Sequence, residues 1–223
     1  MKKTLLIIIC AVFSVFPIFA QSFEMDTITY KLDPNMKEHL IGVKYNYAFT
    51  NAFTWPDMSP KYAKKVKNIS LMYTYYHPMW AFNYFGIQTG IRYSEYEFIP
   101  NCDNEEYNEL KQTTTNIEVP ILTAIHYNIG EKYRVLFSFG PYLGYRLTTD
   151  QNNGFNNADP RWDYGIDSNI GFAIRMHHFE IHIETEFKYS FSFLYDPKKI
   201  DNIYWIHIHP YQISPGITLY YHF

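Results

Sequence analysis

The chain has 223 residues, a formal net charge of −3 and 20% aromatic residues, among them 22 Tyr and 18 Phe. An acidic balance argues against nucleic acid as a partner, because phosphate binding needs a basic surface. Beyond the N-terminal leader no stretch supplies the ~18 uninterrupted apolar residues of a spanning helix, which excludes a helical membrane protein.

Residues 1–20 read as a secretory signal peptide. Lys2 and Lys3 form a charged start, Leu5 to Phe19 is apolar, and Ala20 before Gln21 puts a small residue at the cut. Cys10 leaves with the leader, so Cys102 is the single cysteine of the mature chain and no internal disulfide is expected. Residues 21–38 are polar, contain Pro34 and show no period, as a periplasmic lead-in would. Residues 39–223 form one domain.

The first predicted strand alternates Ile41, Val43, Tyr45, Tyr47 and Phe49 with Gly42, Lys44, Asn46, Ala48 and Thr50. Asn51 to Lys67, with Pro56, Pro60 and four lysines, is expected as a long loop. The second strand puts Ile69, Leu71, Tyr73 and Tyr75 on one face. A short connection through Met79 to Phe82 leads to the third, where Phe85, Ile87, Ile91 and Tyr93 oppose Gly86, Gln88, Gly90 and Arg92. The alternation slips between Ser94 and Phe98, as expected where a strand rises beyond the bilayer and neither face must be apolar. An acidic loop, Pro100 to Lys111, follows.

The longest alternation comes next. Ile117, Val119, Ile121, Ile125, Tyr127 and Ile129 share one parity, and after a tight turn at Asn128 to Lys132 it resumes at Tyr133 and runs through Val135, Phe137 and Phe139 to Leu147. A third loop, Thr149 to Pro160, is rich in Asn, Asp and Gly. The sixth strand sets Trp162, Tyr164, Ile166, Ile170, Phe172 and Ile174 against Asp163, Gly165, Asp167, Asn169, Gly171 and Arg175. After a turn at His177 and His178, the seventh sets Phe179, Ile181, Ile183 and Phe187 against Glu180, His182, Glu184, Glu186 and Lys188. A fourth loop, Tyr195 to His209, precedes a last strand with Ile213, Ile217, Leu219, Tyr221 and Phe223 on one face.

Long and short connections alternate, which predicts an all-β fold: a single antiparallel up-and-down transmembrane β-barrel of about eight strands in the cell outer membrane, contacting outer-membrane lipid. Leu219, Tyr221 and Phe223 suit a C-terminal signal for the barrel-assembly machinery. The side opposite the apolar face carries Gly42, Gly86, Gly90, Gly140, Gly144, Gly165, Gly171 and Gly216, which fits a crowded lumen. There Lys44, Arg92, Arg134, Arg146, Arg175 and Lys188 meet Glu118, Asp163, Asp167, Glu180, Glu184 and Glu186. These charges are expected to pair across neighbouring strands, Arg146 with Asp163 foremost. Pro120, Pro141 and Pro215 should mark bulges or bends.

No phosphate loop, dinucleotide-binding glycines, zinc-protease pattern or nucleophile elbow is present, and neither cofactor nor metal is expected. His207 and His209, His177 and His178, and the oxygens of Asp150 to Asp159 are candidate ligands that fit ordinary loops better. Ser168, Thr123 and Thr185 are hydroxyls on the lipid face without an evident base. The expectation is a non-enzymatic structural or interaction protein whose outward loops, with Trp55 and Trp205, contact an unknown protein partner. The alternatives are a lipid-modifying enzyme using His207 or His209 with Asp201, and a narrow solute pore.

The ordered motifs Ile117-Glu118-Val119-Pro120-Ile121-Leu122, Gly140-Pro141-Tyr142-Leu143-Gly144 and Asp163-Tyr164-Gly165 resemble the PorT-like outer-membrane β-barrel family of Bacteroidetes. The resemblance covers essentially the mature barrel. It implies a single outer-membrane barrel and, for the name-giving member, a part in protein secretion and export; it carries over no catalytic residues.

Overall fold

The computed structural model describes residues 37–79, 82–101, 110–150, 155, 159–196 and 205–223. The signal peptide, nearly all of the lead-in, Cys102, Asp201 and most of the third and fourth loops lie outside the described residues. Eight strands follow one another: β1 (Glu38–Trp55), β2 (Ala63–Met79), β3 (Phe82–Phe98), β4 (Gln112–Ile129), β5 (Tyr133–Thr149), β6 (Trp162–Met176), β7 (Phe179–Ser190) and β8 (His207–His222). Each pairs antiparallel with the next, and β8 closes on β1.

The register fixes the barrel's tilt. Stepping between paired residues from His39 through Tyr75, Ile87, Thr123, Phe139, Ser168, Phe187 and Ile213 returns to β1 at Phe49, ten residues above the start. Such a stagger over eight strands tilts them by about 40°. Each residue then climbs roughly 2.5 Å along the axis, so about ten residues cross an apolar band of about 25 Å. β1 has 18 residues, so its upper part stands clear of the membrane.

Within the band the alternation does what lipid demands. Ile41, Val43, Leu71, Ile121, Phe137, Ile170, Phe172 and Ile183 are exposed, while their sequence neighbours are buried. Rings with a polar edge flank the band: Tyr127, Tyr133 and Tyr221 near the short turns, Tyr93, Tyr145, Trp162 and Tyr164 near the long loops. The short turns are tight enough to use left-handed backbone, at Gly130 (φ 65°) between β4 and β5 and at His177 (φ 50°) between β6 and β7.

Several boundaries differ from the sequence expectation. β1 begins at Glu38, so this residue belongs to the barrel and not to the lead-in. The stretch Asn51 to Lys67 is mostly strand: Ala48, Phe49 and Thr50 pair with Lys65, Lys64 and Ala63 beyond a bulge at Asn46/Ala48. Lysines suit a hairpin that projects into water, where no face must be apolar. His207 and His209 are likewise residues of β8, paired with Trp55 and Phe53, and not of a loop. Pro120, Pro141 and Pro215 mark no register shift. The shifts fall at Asn46/Ala48, His77/Met79 and Thr115/Asn116, while Pro141 and Pro215 pair in register with Ile166 and Thr185.

Between Ser94 and Phe98 the backbone alternation never slips. Ser94, Tyr96 and Phe98 are buried, and the residues between them turn outward. What changes is the chemistry of the two faces, because here the outside is water.

Candidate functional site

The lumen is filled by a ladder of ion pairs. At its base Arg134 Nη2 contacts Glu38 at 2.8 Å and Arg134 Nη1 contacts Glu180 at 3.1 Å. Arg175 reaches Glu38 at 2.9 Å, and His182 and His222 stand 2.9 and 2.8 Å from the Glu180 carboxylate. His182 also lies 3.8 Å from Glu184, which is 3.6 Å from Lys44 Nζ. Leu40, Met72, Tyr76, Ala124 and Tyr220 form a small apolar cluster around this lower part, and Gln88 donates to the Tyr220 hydroxyl at 2.8 Å.

At mid-height Lys44 donates to Asn169 at 2.7 Å and to Glu186 at 3.0 Å. Arg92, fully buried, is the hub: it lies 2.7 Å from Asp167, 2.9 Å from Glu186 and 3.4 Å from Glu118. Lys188 meets Glu118 at 2.6 Å, and Ser94 donates to the same carboxylate at 2.7 Å. Higher still, Arg146 Nη2 is 3.4 Å from Asp163, whose carboxylate accepts from Ser190 and Ser192 at 2.5 and 2.7 Å. Contacts no longer than 3.8 Å thus connect Glu38 at one end to Glu118 and Lys188 above mid-height. Asn116, within 3.5 Å of both Glu118 and Asp163, links them to Arg146.

Many of these pairs skip strands, contrary to the expectation of pairing between neighbours. Arg92–Glu118 and Arg146–Asp163 are neighbours, but Lys44 of β1 meets β7, Arg134 of β5 meets β1 and β7, and Lys188 of β7 meets β4. The reason is the narrow bore of eight strands, across which a long side chain reaches the far wall. Inward glycines leave the room. A Cβ on Gly144 would stand 2.9 Å from the Glu118 side chain, and one on Gly171 2.8 Å from that of Glu184. Paired and hydrogen-bonded in this way, charges are tolerated away from bulk water.

The outer mouth is closed differently. Ala52, Met58, Tyr96, Phe98, Leu110, Leu194, Tyr195, Ile206 and Ile208 form an apolar cluster drawn from strand ends and three loops. Tyr96 donates to the Asn51 carbonyl at 2.7 Å, and the Tyr195 hydroxyl donates to that of Leu110. Burial pushes the Tyr195 phenol above its ordinary range. Arg146 joins cap and ladder, because Nη1 donates to the carbonyls of Pro160 (2.8 Å) and Phe193 (2.7 Å). Beneath the cap, between Tyr142, Arg146, Asp163 and Gln212, lies a cavity of about 10 Å³, the room of a single water.

Glu38, Ser192 and the rings of the cap were missed by sequence reasoning, whereas Asn169 and Ser190 follow from the parity of their strands. Stepping back by twos from Gly42 through Leu40 would have reached Glu38, and continuing past Ser190 would have reached Ser192. Leu219, Tyr221 and Phe223 point outward at the short-turn end, all exposed. Ser168, Thr123 and Thr185 face outward too, the Ser168 hydroxyl 3.4 Å from the Phe187 carbonyl. His177 and His178 stack edge-on at 4.0 Å in their turn, whereas His207 and His209 lie against Phe193 at 4.9 and 4.8 Å. Among the described residues, no three His, Cys, Asp or Glu side chains converge as a metal site would require.

The family model for the outer membrane protein beta-barrel domain matches residues 19–195. The chain belongs to that family. It is an outer-membrane protein, and its apolar belt is the surface that meets lipid. No curated protein matches it in sequence. Solved structures similar to it include Ail, the attachment invasion locus protein of Yersinia pestis, at 10% identity over 81% of this chain and 97% of that one, with a TM-score of 0.41. OprG from Pseudomonas aeruginosa is similar at 10% identity over 82% and 96%, TM-score 0.48. AlkL in DMPC lipid bilayers is similar at 10% identity over 85% and 91%, TM-score 0.45.

Proposed function

We propose that this barrel is a non-conducting structural and interaction protein of the cell envelope, engaging a protein partner through its outward end rather than passing solutes or turning over a substrate. The observation that carries this reading is the filled lumen. The ion-pair ladder occupies the bore, the apolar cap covers the mouth, and the cavity between them holds about one water. Reconstituted in planar bilayers, the full chain is expected to show no steady conductance. Persistent ion current through the wild-type protein would overturn the reading. Turnover of labelled lipopolysaccharide or phospholipid, abolished by His207→Ala or His209→Ala, would replace it with an enzyme.

The ordered motifs around Pro120, Pro141 and Tyr164 support a more specific role, an accessory part in protein secretion or envelope assembly. Crosslinking in intact cells tests it: an export or assembly component should be captured through the outward loops. Leu219 and Tyr221, outward and at the periplasmic end, suit recognition by the barrel-assembly machinery during insertion.

A further inference from the structure

The outward surface above the membrane is not the same all round. On β3 and β4 it carries Glu95, Glu97, Thr113 and Thr115. On the opposite wall, where β7, β8 and β1 meet, it carries rings. Phe53 packs 4.9 Å from Tyr211, and Tyr189 stacks on His209 at 6.1 Å. Phe193 lies within 5 Å of His207 and His209, and Trp205 stacks on His207 at 6.3 Å. The register sets the foot of this shelf, Tyr189 and Tyr211, at the height of the aromatic girdle and the other rings above it. Tyr211 pairs with Asn51, and the next outward pairs upward are His209 with Phe53 and His207 with Trp55. At roughly 2.5 Å of rise per residue these rings stand about 5 to 15 Å above the belt, at the level of lipid headgroups and beyond. Trp55 is 73% and Trp205 54% exposed.

We propose that this shelf binds the sugar headgroups of the glycolipid in the outer leaflet. The occupant is argued from continuity: the rings run without a break from the lipid-facing belt, so the molecules standing against them are those whose acyl chains cover the belt. Its chemistry fits sugars rather than phosphates. Ring faces offer apolar surface to sugar C–H groups, while His, Trp and Tyr edges supply hydrogen-bonding groups for hydroxyls. Among the described residues, the cations that stack on rings, Arg161 on Tyr145 and Phe155 and Lys188 on Tyr142, do so away from the shelf. The inference is independent of whether the lumen conducts.

The test uses the full chain in intact Gram-negative cells, with a photoreactive phenylalanine analogue at Phe191, whose ring is 48% exposed and lies 5.6 Å from that of the shelf residue Tyr189, or, on the opposite wall, at Thr113. A sugar-bearing lipid adduct is expected at Phe191 and not at Thr113. A protein adduct at Phe191, equal glycolipid labelling at both positions, or no adduct at either would overturn the proposal. The purified wild type should also bind radiolabelled lipopolysaccharide carrying core sugars more tightly than lipid A without them. The double variant Phe193→Ala with Trp205→Ala should lose about tenfold in that affinity, with its heat-dependent gel mobility showing an intact barrel. Equal binding of both lipids, or an unchanged affinity in the folded variant, would equally overturn it.

Discussion

The membrane belt and the collar above it share strands and have opposite interiors. In β3, Ile87, Ile91 and Tyr93 face out while Gln88 and Arg92 face in; a few residues higher Tyr96 and Phe98 face in and Glu95 and Glu97 out. In β8, Ile213 and Ile217 are outside with Gln212 and Thr218 inside, but above them Ile206 and Ile208 are inside with His207 and His209 outside. The comparison teaches that the greasy face follows the solvent and not the fold. Lipid outside leaves ions to fill the bore, whereas water outside returns the collar to an ordinary apolar core.

Four measurements can break or sharpen that contrast. The largest effect should come from Arg92→Ala, which strips three buried carboxylates of their common cation and is expected to cost about 3 to 5 kcal/mol. Urea unfolding from phospholipid vesicles reads it, and an unchanged midpoint would mean that the bore is hydrated. Phe98→Ala opens a cavity in the collar at about 3 to 4 kcal/mol. Its damage should stay local, with protease cutting the outer loops while the belt keeps its folded gel mobility; simultaneous loss of both would make the two regions one cooperative unit.

On the outer face, Ile170→Arg within the belt should destabilise by about 2 to 3 kcal/mol, whereas Thr113→Arg in the collar should stay within ~0.5 kcal/mol. Equal penalties in vesicle unfolding would erase the boundary drawn between them. Last, Tyr195→Phe removes one hydrogen bond to Leu110 and should cost about 1 kcal/mol. Because burial raises the folded Tyr195 phenol, the unfolded chain ionises first, near pH ~10. This contribution is therefore full below that pH and declines as pH rises past it. Protease resistance of the collar should fall above pH ~10 in the wild type and less steeply in Tyr195→Phe; parallel curves would contradict the assignment.

The belt was legible because its signal is long and monotonous: Ile117 to Leu147 alternates with hardly an exception, and lipid enforces it. The collar was not. Where β3 leaves the membrane the sides exchange chemistry, so a pattern read as apolar against polar breaks at Ser94 although side chains keep alternating inward and outward. The same exchange hid the start of β2 behind its lysines and put His207 and His209 in a loop. The inner charges were recognisable one by one from parity, and Arg146 with Asp163 as a pair across neighbouring strands, but the partners that skip strands were not. Lys44 and Glu186 are 142 residues apart, and only the stagger of the closed sheet sets them at one height.

That distance has a consequence for how the molecule must be made. A nascent sheet lacking β6 and β7 would present Lys44 and Glu38 with none of Glu184, Glu186 or Arg175, and Arg92 without Asp167. Such a half-built ribbon cannot rest against hydrocarbon, so insertion and closure have to be nearly one event, or take place where the growing bore is kept wet.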